Sequence, residues 1–209
     1  NPTRSGWDFA GWYTKSADGK WADEKFDFSK AITDDMTLYA RWTVDGKCGN
    51  NLTWILDSDG TLTISGTGKM ADYASADKQP WANQKSSIKK VVIGEGVTSI
   101  GDSAFSGCTN LIDADMSKAS SLTTIGNYAF SSCTALESVD LSKASSLTTI
   151  KTSFSSCTKL NNVVLNEGLK EIGGSAFNNC TKLKKIHIPS TVMAIGGYCF
   201  EKCSWLEEV

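Results

Sequence analysis

Seven cysteines and one histidine bound what this chain of 209 residues could coordinate or catalyse. Five cysteines stand at 108, 133, 157, 180 and 203, separated by 25, 24, 23 and 23 residues. No Cys-x-x-Cys pair occurs, and the only histidine, His187, is not clustered with the cysteines. Zinc coordination by thiolates and imidazoles is therefore not expected. Three aspartates, Asp113, Asp115 and Asp140, could bring carboxylate oxygens together, the donor set Ca²⁺ prefers. The simpler reading of these three is a solvated acidic patch. Asp115, Asp140 and His187 would be the only acid–base set. No Gly-x-Ser-x-Gly, Walker A, dinucleotide-binding or His-Glu-x-x-His pattern is present. No metal, cofactor or catalytic role is expected.

The even spacing of the cysteines means that the elements positioning them repeat. Ile100-Gly101-Asp102-Ser103-Ala104-Phe105 leads through Cys108 and Thr109 to Leu111, and the pattern returns from Ile125 to Leu136 and from Ile172 to Leu183. A last copy runs from Ile195 through Cys199 and Cys203 to Leu206. The copy from Ile150 to Leu160 lacks one residue and the glycine. Each Leu opens a Leu-x-x-Val-x-Leu stretch: Leu111/Ala114/Met116, Leu136/Val139/Leu141, Leu160/Val163/Leu165 and Leu183/Ile186/Ile188. Two apolar residues at a spacing of two are strand periodicity. Repeats of 20–29 residues with one short strand each stack into a solenoid, because one coil cannot bury its own apolar edge. The glycine after Ile suits a turn with positive φ, and the Ala-Phe pair suits a short helical turn with Phe in the core. Five cysteines in one column then point in parallel, about 4.8 Å apart. This favours small apolar fillers over disulfides, with buried, unreactive thiols; Cys199 and Cys203 are the pair most open to oxidation.

The consensus Ile-Gly-x-x-Ala-Phe-x-x-Cys-Thr-x-Leu-x-x-Val-x-Leu over residues 88–209 resembles the BspA-like leucine-rich repeat of bacterial surface proteins. The resemblance implies adhesion to host proteins, matrix or other bacteria. Residues 46–87 read as a linker and β-hairpin cap. Leu52, Trp54 and Leu56 alternate with polar residues, Asp57-Ser58-Asp59-Gly60 turns, and Leu62 and Ile64 alternate back. Trp81 is expected beneath this hairpin. Residues 1–45 differ in texture, with no cysteine and a run of aromatics. Trp7-Asp8-Phe9-Ala10-Gly11-Trp12-Tyr13, Phe26-Asp27-Phe28 and Thr37-Leu38-Tyr39-Ala40-Arg41-Trp42 resemble the internalin-type B repeat (Listeria–Bacteroides repeat), a β-grasp-like module. That family unit has a further strand and helix upstream, so the module is expected to be partial here. Trp7/Phe9 and Phe26/Phe28 are expected as inward-facing strand residues; stacking of sugars on these rings is the alternative use.

The expected fold is mainly β with short helical or 3₁₀ turns: a partial module (1–45), a hairpin cap (46–87) and a curved solenoid of about five turns (88–209). The outward strand positions would form its concave face, carrying Val92, Asp113, Asp115, Ser138, Asp140, Asn162, Val164, Lys185 and His187. His187 would lie two coils beyond Asp140, about 10 Å away, too far for acid–base partnership. An open sheet also offers no deep pocket. The reading is a non-catalytic binding protein of the cell surface or extracellular space, with a spacer or scaffold role as the alternative. The expected partner is a host or bacterial surface protein or matrix, or a glycan. A net charge of −2 does not suit nucleic acid, and no apolar run approaches the ~20 residues of a membrane span. The sequence at Asn1 is not that of a secretory signal, which is expected upstream. The last repeat reaches Val209 in mid-strand, so further repeats are expected beyond it. Asn51-Leu52-Thr53 and Asn179-Cys180-Thr181 fit the glycosylation triplet and are given no role.

Overall fold

The structure is a computed structural model that describes residues 1–209. Its fourteen strands form two sheets. The larger sheet has eight strands in the order β1 (Asp8–Tyr13), β2 (Tyr39–Lys47), β3 (Leu52–Asp57), β4 (Thr61–Gly66), β6 (Lys90–Ile93), β8 (Asp113–Asp115), β10 (Ser138–Asp140) and β12 (Asn162–Val164). The second has six, from β5 (Gly68–Lys69) through β7 (Val97–Ile100), β9 (Thr124–Ile125), β11 (Thr149–Ile150) and β13 (Glu171–Ile172) to β14 (Ala194–Ile195). Strands β1 to β4 pair antiparallel. From β4 onward every pairing is parallel. The second strand of the hairpin is therefore also the first rung of the solenoid.

The hairpin forms where the alternation places it. Leu56 pairs with Leu62 and Trp54 with Ile64. Asp57 Oδ1 accepts the amides of Asp59 and Thr61, each at 3.0 Å. Gly60 takes φ +93, which a side chain disfavours.

Between the two sheets each coil returns through Ala-Phe-x-x-Cys. These returns are not helices. They are single i→i+3 turns, such as Cys108 N to Phe105 O at 3.1 Å, broken by left-handed residues. Left-handed φ recurs just before the Ala column, at Ser103, Tyr128, Ser175 and Tyr198. It recurs again just before the Cys column, at Gly107, Ser132, Ser156, Asn179 and Lys202. This geometry frees alternate amides for the next coil. Ser103, Phe105 and Gly107 N–H donate to Asn127, Ala129 and Ser131 O at 2.7–2.8 Å. The copy from Ile150 to Leu160 lacks the residue at the first left-handed position. There Ser153 fills the Ala column, and its hydroxyl donates to Gly126 O at 2.9 Å.

The repeat glycine corrects the expectation of positive φ. Gly101, Gly126, Gly173 and Gly196 have no left-handed φ. A Cβ on Gly126 would instead lie 2.6 Å from Asp102 Oδ1 and 2.7 Å from Asp102 N. Close approach between coils, not turn conformation, selects glycine.

A single cluster of 44 buried apolar residues runs from Cys48 to Cys199. Its spine is a stack of rings: Phe105, Phe130, Phe154, Phe177 and Phe200 follow at centroid spacings of 5.0–5.8 Å. Burying each ring is worth about 2–3 kcal/mol. Trp81 heads this stack, 5.3 Å from Phe105 and nearly parallel to it, while meeting Trp54 edge-on at 5.7 Å. It thus packs beneath the hairpin as expected and also occupies the Phe position of the coil before the first. Its Nε1 donates to Ala104 O at 3.1 Å, and Gln79 Nε2 donates to Ser106 O at 3.2 Å. In later coils carbonyls of this return receive amides from the preceding coil. Gln79 and Trp81 supply the donors for the first.

In the N-terminal segment Phe9 lies on β1, but Phe26-Asp27-Phe28 is not a strand. Phe28 is 63% exposed. The segment joins β1 only through Phe26 N to Trp12 O at 2.7 Å, so it forms no ladder that would alternate its side chains.

Candidate functional site

The candidate face is the outer surface of the larger sheet. Register places Lys90, Asp113, Ser138 and Asn162 in one row across β6, β8, β10 and β12. Val92 pairs with Asp115 in a second row, in which Asp140 pairs with Val164. Between these rows the chain turns Val91, Ala114, Val139 and Val163 into the core. Lys185 and His187 lie beyond β12, outside the named strands; Lys185 bridges to Glu208, and Ile186 N donates to Glu208 O at 3.1 Å.

Seven of the nine candidate residues fall in two depressions. Asp113, Asp115, Ser138 and Asp140 line a shallow depression of about 250 Å³ with Lys143 at its edge. Asn162, Lys185 and His187 line a separate one of about 280 Å³ with Glu208 and Val209. Val92 and Val164 line neither. His187 is thus placed apart from the aspartates, and no acid–base pair is assembled.

Lys90 decides the electrostatics of the first depression. Its Nζ lies 2.9 Å from Asp113 Oδ2 and 3.1 Å from Asp115 Oδ2. The Asp113 hydrogen bond, helped by Asp115, raises the lysine pKa. Asp115 is held below the ordinary carboxylate value, first by Ser117 and then by Lys90. Asp115 Oδ1 accepts Ser117 N at 3.0 Å, and Asp140 Oδ1 accepts Ser142 N at 2.8 Å. Both aspartates therefore close the turn after their strand, an Asx role. The Ca²⁺ reading of Asp113, Asp115 and Asp140 is corrected on this geometry. Lys90 already pairs two of the three carboxylates, and no three His, Cys, Asp or Glu side chains are grouped to hold a metal. The turn role was open to sequence reading in the Asp-x-Ser spacing. The spacing of 23 residues, one repeat, places Lys90 on the same face one coil before Asp113, but does not show that its ammonium group bridges both aspartates.

The cysteine column has a task beyond filling space. Each thiol points at the Phe carbonyl of the coil before: Cys133 at Phe105 O, Cys157 at Phe130 O, Cys180 at Phe154 O and Cys203 at Phe177 O, at 3.1–3.2 Å. All seven cysteines are unpaired with one another. Burial pushes Cys108 and Cys157 up to about 12 and Cys199 up to about 11.

The aromatics of the first segment pack chiefly on one another and on cations. Phe9 meets Trp12 and Trp42 edge-on at 5.5 and 5.4 Å. Lys15 Nζ lies 3.9 Å above the Trp21 ring, and Arg41 stands 5.3 Å from Tyr13. Arg41 also pairs with Asp57 of the hairpin at 3.3 Å, and Trp21 Nε1 donates to Asp59. An open cleft of about 630 Å³ remains beside Phe9, Trp12, Phe26 and Phe28.

Comparison with known proteins agrees with this geometry. Residues 80–207 match the BspA type leucine rich repeat region in six copies, and residues 1–41 match the Listeria-Bacteroides repeat domain. The chain is 38% identical over 86 residues to Internalin H of Listeria monocytogenes, covering 40% of this chain and 13% of that protein. Its fold is similar to the leucine rich repeat protein of T. pallidum, with TM-score 0.51 and 22% identity, covering 78% of this chain and 91% of that one. It is also similar to the pneumococcal vaccine antigen PcpA, with TM-score 0.52 and 18% identity, covering 76% and 47%. No helix is long and apolar enough to cross a membrane. Repeats of this kind are typical of bacterial surface proteins and serve binding or scaffold roles. Stacked coils with one Phe and one Cys each, matched over more than half of its length, make this chain a member of the BspA type leucine rich repeat family.

Proposed function

We propose that the chain is a non-catalytic binding protein of the bacterial surface or extracellular space, and that the outer face of its larger sheet recognises a host, bacterial or matrix protein. One observation carries this. Side chains at fixed register (Asp113, Asp115, Ser138, Asp140, Asn162 and Val164) stand outward on a frame whose alternate residues are buried. A rigid lattice with freely variable outward positions suits protein recognition. The depressions on it are small, about 250 and 280 Å³, below the usual size of a small-molecule pocket, which favours contact with a broad partner.

The test is binding to a panel of purified extracellular-matrix and bacterial surface proteins. Asp115→Asn with Asp140→Asn removes charge while keeping the oxygen that closes each turn. Lys185→Glu reverses charge at the other depression. Binding should weaken about tenfold or more in at least one variant with unchanged thermal unfolding. A bound partner whose affinity neither variant alters would remove the sheet face from the reading.

A scaffold role is the second reading, and strand β2 favours it. It pairs with β1 on one side and β3 on the other, so the N-terminal module and the solenoid share one sheet. Such a joint would hold neighbouring parts of a longer chain at a set angle.

A further inference from the structure

Beside the larger sheet, where each coil passes from Cys-Thr into Leu, runs a row of side chains that the sheet face does not use. Its members in successive coils are Asn110, Ala135, Lys159, Lys182 and Trp205. Lys184 lies next to the row, two residues past Lys182. Lys159, Lys182, Lys184 and Trp205 line one open depression of about 360 Å³ with Asn161 and Glu137. The three lysines are exposed. None of them is in an ion pair. Trp205 is 47% exposed, at the same outward repeat position as Lys159 and Lys182. Its ring holds Lys182 Nζ at 3.5 Å and Lys184 Nζ at 5.4 Å.

We infer that this ridge binds an anionic polysaccharide, bearing carboxylate or sulfate groups, laid along the solenoid axis. Three unneutralised ammonium groups on neighbouring coils select a polyanion. Lys159 and Lys182 follow the stacking direction, with coils about 4.8 Å apart, and Lys184 stands beside them, so a linear polymer can meet them together. The cation–π contact orders Lys182 before any ligand arrives, which lowers the entropy cost of binding. The exposed indole and the Asn161 amide distinguish a sugar from an acidic peptide. Carboxylates need only the lysines, whereas a pyranose presents a C–H face to an aromatic ring and hydroxyls to an amide. Glu137 lines the same depression one coil before Asn161 and would repel an anion on that side.

The test uses the full chain on immobilised heparin, with poly-glutamate and neutral dextran as comparisons, from about 50 to 300 mM salt. Heparin should bind, weaken steeply with salt, and exceed both comparisons. Lys159→Glu with Lys182→Glu should cost about tenfold or more in affinity at unchanged thermal unfolding. Trp205→Ala should cost several-fold for heparin and nothing for poly-glutamate. The same charge change on another side, Lys151→Glu with Lys170→Glu, should leave heparin affinity near the parent value. Absence of heparin binding at about 50 mM salt would overturn the inference. Equal loss in both lysine pairs would overturn it too, as would poly-glutamate binding as tightly as heparin. None of these readouts involves the sheet face, so this inference and the proposed function fail independently.

Discussion

Cys133, Cys157, Cys180 and Cys203 show how one small side chain can meet two demands in a repeat. Each fills a narrow space behind a Phe ring and offers a weak S–H donor to the carbonyl of the coil before. The protonated form is the one the fold needs, since burial raises Cys108 and Cys157 from 9.0 to about 12. A thiol that holds its proton more tightly in the folded than in the unfolded chain contributes stability that is whole below pH 9. That contribution is lost as pH climbs towards 12. Denaturant unfolding from pH 8 to 11 should therefore show stability falling, by up to about 1.4 kcal/mol per pH unit for each such thiol. Cys108→Ala with Cys157→Ala should flatten that fall relative to the parent. Identical slopes in parent and variant would show that the thiols do not carry it.

A coil holds its neighbour through two parallel ladders and a third made by the left-handed returns. That third ladder brings backbones too close for a Cβ at the repeat glycine. Gly126→Ala would set a methyl against the backbone of Gly101 and Asp102, with a cost of about 3 kcal/mol. Gly197→Ala is the control. Nothing lies within 4 Å of its Cβ position and its φ is not left-handed, so its effect should stay within about 0.5 kcal/mol. Thermal unfolding of the pair checks this; since loss of glycine's unfolded-state freedom alone would stabilise both variants, equal destabilisation would mean that inter-coil contact does not set the requirement.

For the whole molecule, the question is what joins the N-terminal module to the solenoid. Strand β2 supplies the backbone of the joint. Trp21, Arg41 and Lys15 supply its side chains, gripping Asp57 and Asp59 at the hairpin turn. Trp21→Ala with Arg41→Ala should raise amide exchange in β1 by about tenfold or more while β6, β8, β10 and β12 keep their protection. Unchanged exchange in β1 would show that strand pairing alone holds the module. Trp81 is buried at the head of the ring stack, whereas Tyr198, Met193 and Val209 at the other end are exposed.

Period, apolar columns and the hairpin were legible without coordinates, because each depends on side-chain spacing along one coil. Leu56 opposite Leu62 and the row of Phe rings follow directly from alternation and repeat length. The reason for the repeat glycine was not legible, nor were the left-handed serines, the thiol hydrogen bonds or the Lys90 clamp. Those rest on contacts between coils more than twenty residues apart, and the distance between two stacked backbones is set only when they pack. Even the division of the outward face into two depressions followed this rule. The strand pattern says which residues point out, whereas tertiary structure decides which charges meet.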